Sequence, residues 1–130
     1  YEGCIVEVTD DKVLDIGERR HAILIVLRDI EVLDLRRNGA MRAGTDARIG
    51  KCSHDDSQPW ARYFYEEKAY GSPHGLTWLN SHNDAEALTF FERTGGAFRL
   101  ESEVRMANEL DAIATITEAC GLRINFDSVR

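Results

Sequence analysis

Phe98-Arg99-Leu100-Glu101-Ser102-Glu103-Val104 is the stretch on which the fold reading turns. Apolar Phe98, Leu100 and Val104 face one way, and Arg99, Glu101 and Glu103 face the other. Period two is the pattern of an antiparallel strand with one covered face. Near the C-terminus, Leu122, Ile124 and Phe126 alternate with Arg123, Asn125 and Asp127 in the same manner. The two stretches predict that Phe98, Leu100, Leu122, Ile124 and Phe126 are buried, with Arg99, Arg123 and Asp127 on the outer side.

Working outward, the rest of the chain reads as short strands separated by turns. Cys4, Val6 and Val8 alternate, with Glu7 and Thr9 opposite, Thr9-Asp10-Asp11-Lys12 is a turn, and Val13 to Ile16 can return. His21 to Leu27 is nearly all apolar and rich in branched residues, as in a central strand covered on both faces. Ile30 to Leu35 and Leu76 to Leu79 are further strands, and Thr45 to Cys52 is read as one. Ala61 to Lys68 carries Tyr63, Phe64 and Tyr65, and aromatic residues favour strands. Arg36 to Gly44 and Ser53 to Pro59 read as loops. Leu110 to Thr117 suits a strand by its Ile113, Thr115 and Thr117 and a helix by its start. Asp84 to Arg93 is the other helical signal, with Ala85, Leu88 and Phe91 on one face. The expectation is an all-β, mainly antiparallel β-sandwich of about eight strands with at most one short helix.

Length and charge bound the function. A chain of 130 residues is expected to form a single domain. The net charge is −7, from 23 acidic against 16 basic side chains. That balance disfavours nucleic acid as a partner and disfavours unaided adhesion to anionic lipid. No run approaches the roughly 20 apolar residues of a membrane span, so no transmembrane segment is expected. Tyr1-Glu2-Gly3 lacks the cationic start of a signal peptide, and the expectation is a soluble or peripheral membrane protein. Cys4, Cys52 and Cys120 are far apart with no CxxC, which gives zinc little support. Three free thiols, or one pair plus a free thiol, both fit.

No catalytic constellation stands out. His21, His54, His74 and His82 share no helical ligand spacing and read as ordinary strand and loop residues. Ser53-His54-Asp55 are sequence neighbours without a GxSxG elbow. Asp55-Asp56 and Glu66-Glu67 are acidic pairs of the kind usually left in solvent. There is no phosphate-cradling GxxxxGK[ST].

Two segments are more specific. Ala43-Gly44-Thr45-Asp46-Ala47-Arg48-Ile49 follows the strand Ile30 to Leu35, and Phe91-Glu92-Arg93 precedes Phe98-Arg99-Leu100. Trp78-Leu79-Asn80 lies between them and Asp127-Ser128-Val129 ends the series. In this order the motifs resemble the PLAT (lipoxygenase-homology) domain over roughly residues 30–130, with residues 1–29 as extra N-terminal strands. Thr94 stands where that family has Gly, and Ile124 where it has a late Trp.

The resemblance implies a β-sandwich interaction module, without catalysis, that binds a membrane surface or a partner protein. It also implies calcium, held by Gly44 and Asp46 on one loop and Asn83 and Asp84 on another; hard oxygen donors suit that ion. The competing reading has Asp46 bonding its own turn and Asp84 capping a short helix. Trp60, Tyr63 and Tyr65 are candidates for the membrane or partner surface, since amphipathic aromatics suit such an interface, and equally for core.

The alternative is an enzyme. Asp84 to Gly96 is also similar to a helix motif of the GNAT N-acetyltransferases, which use acetyl-coenzyme A. Their pyrophosphate loop would fall on Arg42 to Ala47, where Thr45 replaces a glycine and Asp46 would face an anion of like charge.

Overall fold

The computed structural model describes residues 2–4, 7–8, 13–15, 18–81, 83–121 and 123–124. The chain falls into two compact units, a terminal unit of residues 1–27 with 98–130 and a central unit of residues 28–97.

In the terminal unit, strands β1 (Glu2–Cys4) and β4 (Arg20–Val26) pair antiparallel. On its other side β4 pairs antiparallel with β8 (Phe98–Arg105), so β4 is the middle strand of three. Its register runs from Arg20 opposite Arg105 to Val26 opposite Phe98. Ile23 faces Ser102 and Leu24 faces Leu100, so Glu101 is the extra residue of a bulge. A second small sheet joins β2 (Glu7–Val8), β3 (Val13–Asp15) and β9 (Arg123–Ile124), with β3 and β9 parallel. Helix α3 (Leu110–Cys120) buries Ile113 and Thr117, one turn apart on one face. It stops at Gly121, whose φ of 65° is the left-handed conformation that ends helices. Glu109, just before α3, accepts a 3.0 Å contact from the His21 ring on β4.

The central unit carries a third three-stranded sheet. Strands β5 (Val32–Asp34) and β6 (Gly75–Leu79) run parallel, and β7 (Glu86–Phe90) pairs antiparallel with β6. Helix α1 (Asn38–Arg42) approaches β5 so closely that a side chain at Gly39 would meet the Asp34 carbonyl. Helix α2 (His54–Glu66) begins at Ser53, whose hydroxyl accepts from the Asp56 amide. Phe64 of α2 is fully buried in a core with Leu35, Ala43 and Leu76, flanked by Trp60, Tyr70, Trp78 and Phe91.

These elements correct the all-β expectation. Among the described residues there are three α-helices, and the nine strands form three small sheets rather than one eight-strand sandwich. Ser53 to Lys68, read as loop then strand, is mostly α2: the Ser53 cap and the four-residue spacing of Trp60 and Phe64 outweigh aromatic strand preference. Asp84 to Arg93, read as helix, contains β7, because β6 offers a complete antiparallel ladder from Gly75–Phe90 to Leu79–Glu86. Thr45 to Cys52 contains a 3₁₀ turn, Ala47–Gly50, instead of a strand. Leu110 to Thr117 takes the helical option.

The strand at Phe98 forms, but its burial does not follow: Leu100 is 54% exposed, and Val26 and Leu27 at and just past the end of β4 are exposed as well. Leu122, Phe126 and Asp127 lie outside the described residues, as does the Asp127-Ser128-Val129 motif.

Candidate functional site

Helix α2 builds one wall of a cleft of about 520 Å³ in the central unit. Asp55 and Asp56 stand at its first turn, followed by Pro59, Trp60 and Tyr63 along the same side. The spacing places 56 beneath 60 and 59 beneath 63, the four-residue step of one helix face. Ala43 and Gly44, just after α1, form the opposite wall with Tyr70.

The aromatic residues fix one another. Tyr70 meets Phe64 edge-on with ring centroids 5.1 Å apart, and meets Tyr63 edge-on at 5.8 Å. Trp60 lies 5.6 Å from Phe64 and 6.0 Å from Tyr63. The Tyr70 hydroxyl donates to the Ala43 carbonyl at 2.6 Å. Burial, then Tyr63 and Glu67, push its pKa up, so it stays a donor.

The acidic mouth is partly committed. The Ser53 hydroxyl donates to Asp56 Oδ2 at 2.8 Å, completing a reciprocal cap. Asp55 makes no hydrogen bond or ion pair among the described residues, and its carboxylate is exposed.

A second cleft of about 460 Å³ shares Ala43 and Tyr70 with the first and is lined by Asp34, Arg36, Arg37, Asn38 and Arg42 among others. Arg36 is fully used: it holds Asp34 through Nε at 2.9 Å and Nη2 at 3.0 Å, and its Nη1 pairs with Glu86. The Arg36 side chain, then its amide, hold Asp34 below the usual carboxylate range, and the field of Arg42 adds to this.

The residues expected to bind calcium are placed otherwise. Gly44 lies in the aromatic cleft with φ of 87°. Asp46 caps the 3₁₀ turn by accepting from the Arg48 amide at 2.8 Å, and Arg48 Nη2 donates to it at 2.7 Å. That side-chain bond, then the amide, lower the Asp46 pKa to about 2. Asp84 pairs with Lys51 Nζ at 2.8 Å, and the Asn83 amide oxygen accepts from the Ala85 amide at 3.1 Å. Among the described residues no group of three or more His, Cys, Asp or Glu could hold a metal ion.

Of the three aromatic surface candidates, Trp60 and Tyr63 come together in the cleft. Tyr65 points elsewhere: its hydroxyl donates to Glu92 at 2.8 Å, and its ring packs edge-on against Phe91. The Phe91-Glu92-Arg93 motif is thus consumed by a structural clasp on Tyr65. His74 is structural as well, its Nδ1 accepting from the Glu31 amide at 3.0 Å. Cys52 and Cys120 are free thiols.

Sequence reasoning missed Tyr70, Pro59 and Arg37 as lining residues and set Asp55-Asp56 aside. Ser53-x-x-Asp56 was the available signal, since it starts a helix and aligns Asp56, Trp60 and Phe64.

No known protein family, curated protein or solved structure matches the chain. No helix among the described residues is long and apolar enough to cross a membrane.

Proposed function

We propose that the protein is a non-catalytic binding module whose aromatic cleft takes a basic side chain, arginine or lysine, from a partner protein. The observation that carries this reading is the unpaired Asp55 carboxylate beside Trp60, Tyr63 and Tyr70 in one cleft. Aromatic faces attract cations, and a neighbouring carboxylate adds the Coulomb term. The cleft volume lies in the range that accommodates small ligands and anchoring side chains. A net charge of −7 favours a basic partner and raises its encounter rate. Calcium has no part in this reading, because Arg48 and Lys51 already neutralise Asp46 and Asp84.

Titration with a capped tripeptide carrying a central arginine, followed by tryptophan fluorescence, tests it. Saturable binding is expected, with no binding of the central-glutamate peptide. Asp55→Asn and Tyr63→Ala should each weaken binding about fivefold, roughly 1 kcal/mol per interaction. Equal affinity for both peptides, or none for either, overturns the proposal.

A further inference from the structure

The second cleft asks for a ligand of opposite sign. Four groups that line it carry formal charge, Asp34, Arg36, Arg37 and Arg42. Asp34 and Arg36 close on each other, with Glu86 completing the pairing from β7. Arg37 and Arg42 are both exposed, and neither makes an ion pair among the described residues. Among the described residues no acidic side chain is paired with either of them.

Arg37 is also held where arginine is poorly suited. Its backbone sits at φ 48° and ψ −120°, a left-handed conformation that glycine adopts without cost. Residues kept in such conformations gather at ligand clamps and switch regions. Here the strained residue lines a cleft of about 460 Å³.

We propose that this cleft binds a small, doubly charged oxyanion, the class of phosphate monoesters and dicarboxylates, between Arg37 and Arg42. The planar guanidinium fork matches the geometry of such oxyanions. A small dianion is favoured over a polyanion, because nucleic acid or an anionic bilayer would meet the whole chain's charge of −7. The inference is independent of the aromatic cleft, which selects the opposite charge.

Calorimetric titration with inorganic phosphate and with succinate tests it, beside co-sedimentation with phosphatidylcholine vesicles containing phosphatidate. Saturable binding of at least one dianion is expected, without sedimentation. Arg42→Ala and Arg37→Gly should each weaken it about tenfold, the scale of one charge-assisted bond. Arg48→Ala, which removes a guanidinium outside the cleft, should leave it unchanged. Arg37→Gly also relieves the backbone, so its melting temperature should not fall, which separates lost binding from lost folding. Absence of saturable binding, full binding by the Arg37→Gly/Arg42→Ala double variant, or vesicle sedimentation that neither dianion competes away overturns the proposal.

Discussion

The Tyr70 hydroxyl donates to the Ala43 carbonyl at 2.6 Å, and these two residues are common to the walls of both clefts. One hydrogen bond therefore joins two residues shared by the cleft proposed for a cation and the cleft proposed for an anion. Tyr70→Phe removes the donor and strands the Ala43 carbonyl, in a residue that is otherwise buried. A loss of about 1–2 kcal/mol is expected in urea denaturation, with the arginine peptide and the dianion both bound more weakly. Unchanged stability would mean that water replaces the hydroxyl.

Arg93 lies with its guanidinium carbon 3.9 Å from the Tyr65 ring centroid, and its Nη2 donates to the Tyr65 carbonyl at 2.7 Å. The side chain ties the last turn of α2 to the turn that follows β7. Arg93→Lys keeps the charge and loses the planar stack, so a cost of about 1–2 kcal/mol is expected. Arg93→Ala should cost about 2–3 kcal/mol, because the carbonyl bond goes too. Denaturant midpoints in the order wild type, lysine variant, alanine variant check this, and a lysine variant equal to wild type would refute the stacking contribution.

Asp46 gives a pH dependence with a defined sign. Its folded pKa of about 2 lies below the ordinary aspartate value of 3.8. A carboxylate depressed on folding contributes stability that is present above the unfolded pKa and lost as pH falls through the folded one. Wild type should therefore melt above Asp46→Asn at neutral pH, and the gap should narrow below about pH 4 and close only as pH falls past about 2. The gap should be small, because the Arg48–Asp46 pair is exposed and screened by salt. A gap undiminished from neutral pH down to pH 2 would assign it to the cap geometry instead of the charge.

The alternating and branched strands were legible in the sequence: β4, β6 and β8 form where period or apolar runs place them. Helix α1, inside the expected loop Arg36 to Gly44, the 3₁₀ turn Ala47–Gly50, α2 and β7 were not, and the last two show why. In α2 the adjacent Tyr63, Phe64 and Tyr65 mimic a strand, and only the packing of Trp60 and Phe64 into a shared core resolves them as a helix. At β7, Leu88 and the following Phe91 stand at helical spacing, and the ladder with β6 decides against it. Burial on β8 was misjudged because alternation fixes which side a residue points to, not whether anything covers that side. The site was half visible. Trp60 and Tyr63 carried an aromatic signal, whereas Tyr70 reaches the cleft from a turn beyond the helix, and no local pattern announces that.

The pairing of Val26 with Phe98 has a consequence for how the molecule can vary. The chain departs at one residue of a β-ladder and returns at the residue directly opposite, having made the whole central unit in between. Near the two ends of that excursion, Arg28 Nη2 donates to the Gly95 carbonyl at 3.3 Å. In topology the central unit is an overgrown hairpin loop. Both clefts therefore sit on a cassette whose exit and entry share one doorway, and residues inside it can be lengthened, shortened or exchanged without moving the register of the ladder.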